Sequence, residues 1–121
     1  MDDRLDGIEQ RVEALCLALP EVTVREGGSW GRTYDIRRRA FCLLIAPEDP
    51  TGSPVPLLVL RADPDERDVL LAIGHPYFPV RSGRDRVGVL LTDHTDWDEV
   101  RELITESYRV LAPQKLRALL D

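Results

Sequence analysis

Apolar residues at Leu5, Ile8, Val12, Leu15, Cys16 and Leu19 recur at the three-to-four-residue spacing that lines one face of a helix. Pro20 cannot continue that helix, so the pattern predicts a first helix over about Asp3–Ala18. The period then changes. Val22–Glu26 alternates in character, Gly27-Gly28 supplies a turn with permissive backbone, and Trp30–Ile36 reads as a second strand. Its alternation places Trp30, Tyr34 and Ile36 on one face, with Arg32 and Asp35 more nearly opposed. Arg37-Arg38-Arg39 forms a hairpin tip leading to Ala40–Ile45, which is apolar throughout and reads as a central strand. Ala46–Pro54 holds three prolines and a glycine and is predicted as a loop. Val55–Leu60 makes a fourth strand, whose start Pro54 and Pro56 put at an edge or outside the ladder.

Asp63-Pro64-Asp65-Glu66 carries the chemistry of a helix start: a capping carboxylate, a proline at the first helical position and a glutamate at the reciprocal capping site. Val69, Leu70 and Ile73 are expected to face the core, and Gly74 to stop this short helix. His75–Arg86, with Pro76, Pro79 and Gly83, reads as irregular, and Arg86–Leu91 as a fifth strand. Asp96 and Glu99 repeat the capping spacing at the start of a long helix whose inner stripe is Val100, Leu103, Ile104, Ser107, Tyr108 and Leu111. Pro113 ends it and begins a short helix through Leu120. The order α-β-β-β-β-α-β-α-α, with strands in a run, predicts an α+β fold: a mainly antiparallel sheet with helices packed against it, in one domain over residues 1–121.

Composition supports a globular chain: 43% hydrophobic and 31% charged residues over 121 positions. The two cysteines, Cys16 and Cys42, sit inside apolar patterns and read as inert core residues. The first residues are acidic and lack an apolar run, so no signal peptide is expected, and no apolar stretch approaches a membrane span. A cytoplasmic monomer or weak dimer is the expectation. The net charge of −6 opposes general attraction to nucleic acid or anionic lipid, but the charge is uneven.

Candidate chemistry is sparse. The two histidines, His75 and His94, have no metal-ligand spacing with the cysteines or carboxylates. No nucleophile elbow occurs, and the Gly27–Gly31 stretch leads into a strand rather than the helix a phosphate loop requires. The carboxylates of both helix starts are accounted for by backbone donors. No enzyme, cofactor or metal is therefore expected. The arginines are the main candidates: Arg37, Arg38 and Arg39 at one tip, and Arg81, Arg84 and Arg86 in one loop, can grip phosphates in bidentate fashion. His75, Tyr77 and Phe78 form a proline-flanked loop suited to a small ligand or a protein partner. A continuous basic face would favour DNA as partner; an apolar pocket rimmed by His75 and Arg84 would favour a ligand.

Four segments carry a family likeness: Cys16-Leu17-Ala18-Leu19-Pro20-Glu21-Val22, the step Leu60–Arg67 through Asp63-Pro64-Asp65-Glu66, His75-Pro76-Tyr77-Phe78, and Asp96–Val100 with Ser107–Leu116. In this order and over nearly the whole chain they resemble the MmcQ/YjbR-like family of small bacterial proteins. The resemblance implies a compact α+β fold related to a double-wing DNA-binding architecture, and a DNA-binding role inferred from that likeness of shape. It adds Arg61, where the family often carries lysine, to the phosphate-contacting candidates. Val87-Gly88 stands where the family commonly places an aromatic residue.

Overall fold

The computed structural model describes residues 3–26, 31–81 and 83–120. Helix α1 (Asp3–Leu17) precedes four strands, β1 (Thr23–Glu26), β2 (Gly31–Ile36), β3 (Arg39–Ile45) and β4 (Leu57–Arg61). Helix α2 (Pro64–Ile73), strands β5 (Tyr77–Pro79) and β6 (Arg86–Leu90), helices α3 (Trp97–Leu111) and α4 (Gln114–Arg117), and a closing 3₁₀ turn (Ala118–Leu120) follow. The six strands form one sheet in the order β1-β2-β3-β4-β6-β5, antiparallel at every pairing. The α+β class and the antiparallel sheet are as expected. No helix among the described residues is long and apolar enough to cross a membrane.

Alternation divides the sheet into two faces. Tyr34, Cys42, Leu44, Leu58, Leu60 and Val89 point into the core, where α3 packs on β3 and β4 and α1 packs on β3 and α3. Thr33, Leu43 and Val59 point the other way, lie side by side in register, and are only half-buried on an open outer face. Cys16 and Cys42 are free and buried, and burial first, then a hydrogen bond that the Cys42 thiol donates to Cys16, push the Cys42 thiol well up, which keeps Cys42 protonated and inert.

One irregularity shapes the centre. The β2–β3 register shifts between Tyr34 and Asp35, so Tyr34 faces Cys42, Asp35 faces Ala40, and Phe41 is an extra residue on β3. A bulge leaves backbone groups without ladder partners. Here Ser107 of α3, fully buried, donates its hydroxyl to the Phe41 carbonyl and accepts the Arg61 N–H at 2.7 Å. The Phe41 ring meets Tyr108 edge-on at 5.6 Å, and the Tyr108 hydroxyl donates to the Pro20 carbonyl at 2.8 Å. Ser107 and Tyr108 thus tie α3 to β3, β4 and the segment that follows α1.

The structure corrects the sequence reading in three places. Tyr77–Pro79, read as irregular, pairs as an edge strand: Pro79 sits at its last position, where a missing N–H is tolerated. On α2, Leu70 and Leu71 face the core, while Val69 and Ile73 are 62% and 63% exposed. Arg32 shares the inner face with Tyr34 rather than opposing it, and its guanidinium bonds to Glu9 of α1 (Nε at 3.0 Å) and to Glu26. The predicted Gly27-Gly28 turn and Trp30 lie outside the described residues, although β1 and β2 are antiparallel neighbours as a hairpin requires.

Candidate nucleic-acid interface

The antiparallel register decides which distant arginines meet. Strand β2 ends, β3 begins, β4 ends and β6 begins at one end of the sheet, because Ile36 faces Arg39, Cys42 faces Leu60 and Arg61 faces Arg86. The loop from Pro79 to Arg86 reaches the same end and carries Arg81 and Arg84. With strands spaced ~4.8 Å apart, the Arg39, Arg61 and Arg86 positions span only about two strand spacings. Arg37, Arg38, Arg39, Arg61, Arg81, Arg84 and Arg86 therefore share one end.

The β2–β3 turn is built to project. Arg37 and Arg38 are its two central residues, and both lie in the left-handed region, at φ 51° and 67°. Two such residues match the twist of the flanking strands, but glycine or asparagine occupies them at lower cost. Side chains placed here against backbone preference are a reason to look for function.

The seven arginines are not equivalent. Arg37 pairs with Glu21 (Nε to Oε1, 3.1 Å), both about half exposed, a contact of little strength. Arg61 is a strut: its side chain is 12% exposed, Nε donates to the Ala40 carbonyl at 3.1 Å and Nη1 to Asp85 at 2.7 Å. Burial would raise the Asp85 carboxyl, but the hydrogen bond and charge of Arg61, with a smaller contribution from Arg86, outweigh it and hold the carboxyl below its ordinary value. Among the described residues no hydrogen bond or ion pair engages the side chains of Arg38, Arg39, Arg81 or Arg84, all four exposed. Arg86 is half-buried beside a depression on the outer sheet face.

That depression holds a residue the sequence reading passed over. Arg25 of β1 lies across the outer face from Arg61 and Arg86, with Leu43 and Val59 between them. Its guanidinium grips Asp35, at 2.5 and 3.1 Å, and Asp35 is buried to 4% exposure. The alternation of β1 was visible in the chain, but the partnership of Arg25 with Asp35 depends on the β1–β2 register. Arg67 of α2 also reaches this end and donates to the Arg86 carbonyl at 2.7 Å.

The loop candidates separate. His75 and Tyr77 line a cavity of about 290 Å³ at the opposite end of the sheet, together with His94 and Glu99. Of the two residues whose joint rim would favour a ligand, His75 lines this cavity and Arg84 does not. Phe78 points to the outer face, where its ring lies directly over Gly88 and fills the place of a side chain there. The glycine in Val87-Gly88 thus makes room for the aromatic ring of the neighbouring strand. Among the described residues no group of three or more histidine, cysteine or acidic side chains could hold a metal ion.

A family model described as YjbR matches residues 17–110 of the chain, from the end of α1 into the last turn of α3. No curated protein matches it.

Proposed function

This chain belongs to the YjbR family, and we propose that it is a non-enzymatic nucleic-acid-binding domain that grips DNA phosphates through the arginine end of its sheet. The observation that carries this reading is convergence: Arg38 and Arg39 from one turn, and Arg81 and Arg84 from one loop, share an end, exposed and without carboxylate partners among the described residues. Guanidinium groups so placed suit bidentate contact with phosphate oxygens. Arg61 and Arg25 hold the platform, and Arg86 borders the outer face. The rest of a chain of net charge −6 repels the polyanion, so contact is confined to this end and strongly salt-dependent.

The test is fluorescence anisotropy of a short labelled duplex at low salt, comparing the wild type with Arg38→Ala/Arg39→Ala. The double variant should bind roughly tenfold more weakly, with unchanged thermal stability, since each lost phosphate contact removes part of a sequence-independent attraction. No retention of DNA by the wild type, or equal affinity in the variant, contradicts the proposal.

A further inference from the structure

The cavity at the other end of the sheet is a second, separate site, independent of the nucleic-acid reading. Its walls are apolar: Pro76, Val89 and Leu90 on the strand side, Val100 and Leu103 on α3. Its volume of about 290 Å³ lies near the lower bound for small-molecule pockets, ~300 Å³. Both histidines of the chain, 19 positions apart, stand in its lining. So do the Tyr77 hydroxyl and the carboxylates of Asp96 and Glu99, whereas no lysine or arginine does.

The carboxylates fix the charge of the occupant. Asp96 uses Oδ1 to cap α3, accepting the N–H groups of Asp98 and Glu99 at 3.1 and 3.3 Å. Glu99 uses Oε1 to accept the Tyr77 hydroxyl at 3.2 Å. The second oxygen of each has no partner among the described residues. Burial first, and then Glu99, push the Tyr77 phenol up to about 12, so it stays a neutral donor and cannot balance the carboxylates. The positive end of the α3 dipole is already offset by Asp96, Asp98 and Glu99 in its first turn. Arg101, the nearest arginine on α3, is engaged by Asp98 at 2.9 Å. The mouth therefore favours a cation over an anion, above an apolar interior.

We propose that this cavity binds a small organic amine, its apolar body against Val89, Val100 and Leu103 and its ammonium group at Glu99 and Asp96. The imidazoles of His75 and His94 add polar contacts at the mouth.

The test titrates the full chain with phenethylamine, and in parallel with phenylacetate and benzyl alcohol as anionic and neutral analogues, following the backbone amide resonances of Tyr77, Val89 and Val100. Saturable shifts with the amine, absent or at least about tenfold weaker with phenylacetate, support the site. Glu99→Gln, an exposed position outside the core, should weaken amine binding about tenfold, and Glu99→Lys should abolish it, both in a protein that stays folded with only a small drop in melting temperature from the lost negative charge at the start of α3. No saturable shift with the amine, equal or tighter binding of phenylacetate, or wild-type affinity in Glu99→Gln overturns the proposal.

Discussion

The two ends of the β-sheet are chemical opposites built on the same strands. Strand β6 starts at Arg86, in the arginine end, and leads through Leu90 and Leu91 to Thr92 at the acidic mouth of the cavity. At the first end, arginines project from a turn and a loop into solvent. At the second, two carboxylates at the start of α3 edge an apolar hollow between β5, β6 and α3. A projecting cationic tip suits an extended polyanion, whose charges lie outside the protein. A lined hollow suits a small ligand that leaves water. The total charge of −6 conceals this arrangement, which shows that the sign of the whole chain is a poor guide to the sign of any one site.

The comparison is open to attack from both sides. The largest effect is expected from reversing charge at two separate points of the arginine end. Arg39→Glu/Arg84→Glu should reduce DNA affinity roughly a hundredfold with the melting temperature unchanged, while Glu99→Gln at the other end leaves DNA affinity within about twofold. Affinity gained by Glu99→Gln, which removes one negative charge far from the arginines, in proportion to the affinity lost by the double variant would show that total charge, and not the location of the arginines, governs binding.

Next comes the frame that holds the arginine end together. Ser107→Ala removes the hydroxyl that joins the bulged Phe41 carbonyl to the Arg61 N–H. Leaving these groups without that partner should cost about 2 kcal/mol, read as a lower urea midpoint at unchanged m-value.

This serine shows how much the sequence revealed. Its place on the inner stripe of α3 followed from helical spacing, and the caps at Asp63 and Asp96 from local composition; in the structure Asp63 accepts the Glu66 N–H at 3.1 Å, as the spacing implied. These features depend on residues a few positions apart. The role of Ser107 depends on a bulge 66 positions earlier, which no local pattern shows. Strand β5 was hidden for a different reason: three residues are too short a run for alternation to register, and Pro76 before it and Pro79 at its end read as loop. On α2 the helix was legible but not its rotation, because Val69, Leu70, Leu71 and Ile73 are all apolar and only packing selects Leu70 and Leu71. The arginines were legible as candidates. Their gathering at one end, and the engagement of Arg61 by Asp85, follow from register and loop path.

The turn offers a smaller effect with a distinctive sign. Replacing Arg37-Arg38 by Asn-Gly supplies residues that favour positive φ, so the variant should gain about 1 kcal/mol in stability while losing DNA affinity. Opposite movement of the unfolding midpoint and the binding constant would mark the turn as shaped by function; a loss of stability would refute the strain argument.

The smallest effect concerns pH. The folded Asp85 carboxyl lies below its unfolded value, chiefly because Arg61 outweighs the effect of burial. The stabilisation is then fully present above the unfolded value, near 3.8, and is lost as pH falls through the folded one. Because the Asp85 side chain is 45% exposed, water screens the pair and the contribution should stay below ~1 kcal/mol. Urea unfolding of Asp85→Asn against the wild type at neutral and acidic pH should show a gap that closes on acidification.

The most direct measurement is the slope of log affinity for a short duplex against log salt concentration. Four exposed arginines meeting phosphates predict a steep linear fall, with a slope of about −3 to −4, that becomes shallower by roughly one for each arginine removed from the turn or the loop. A flat line, or a slope that the removal of Arg38, Arg39, Arg81 or Arg84 leaves unchanged, would contradict it.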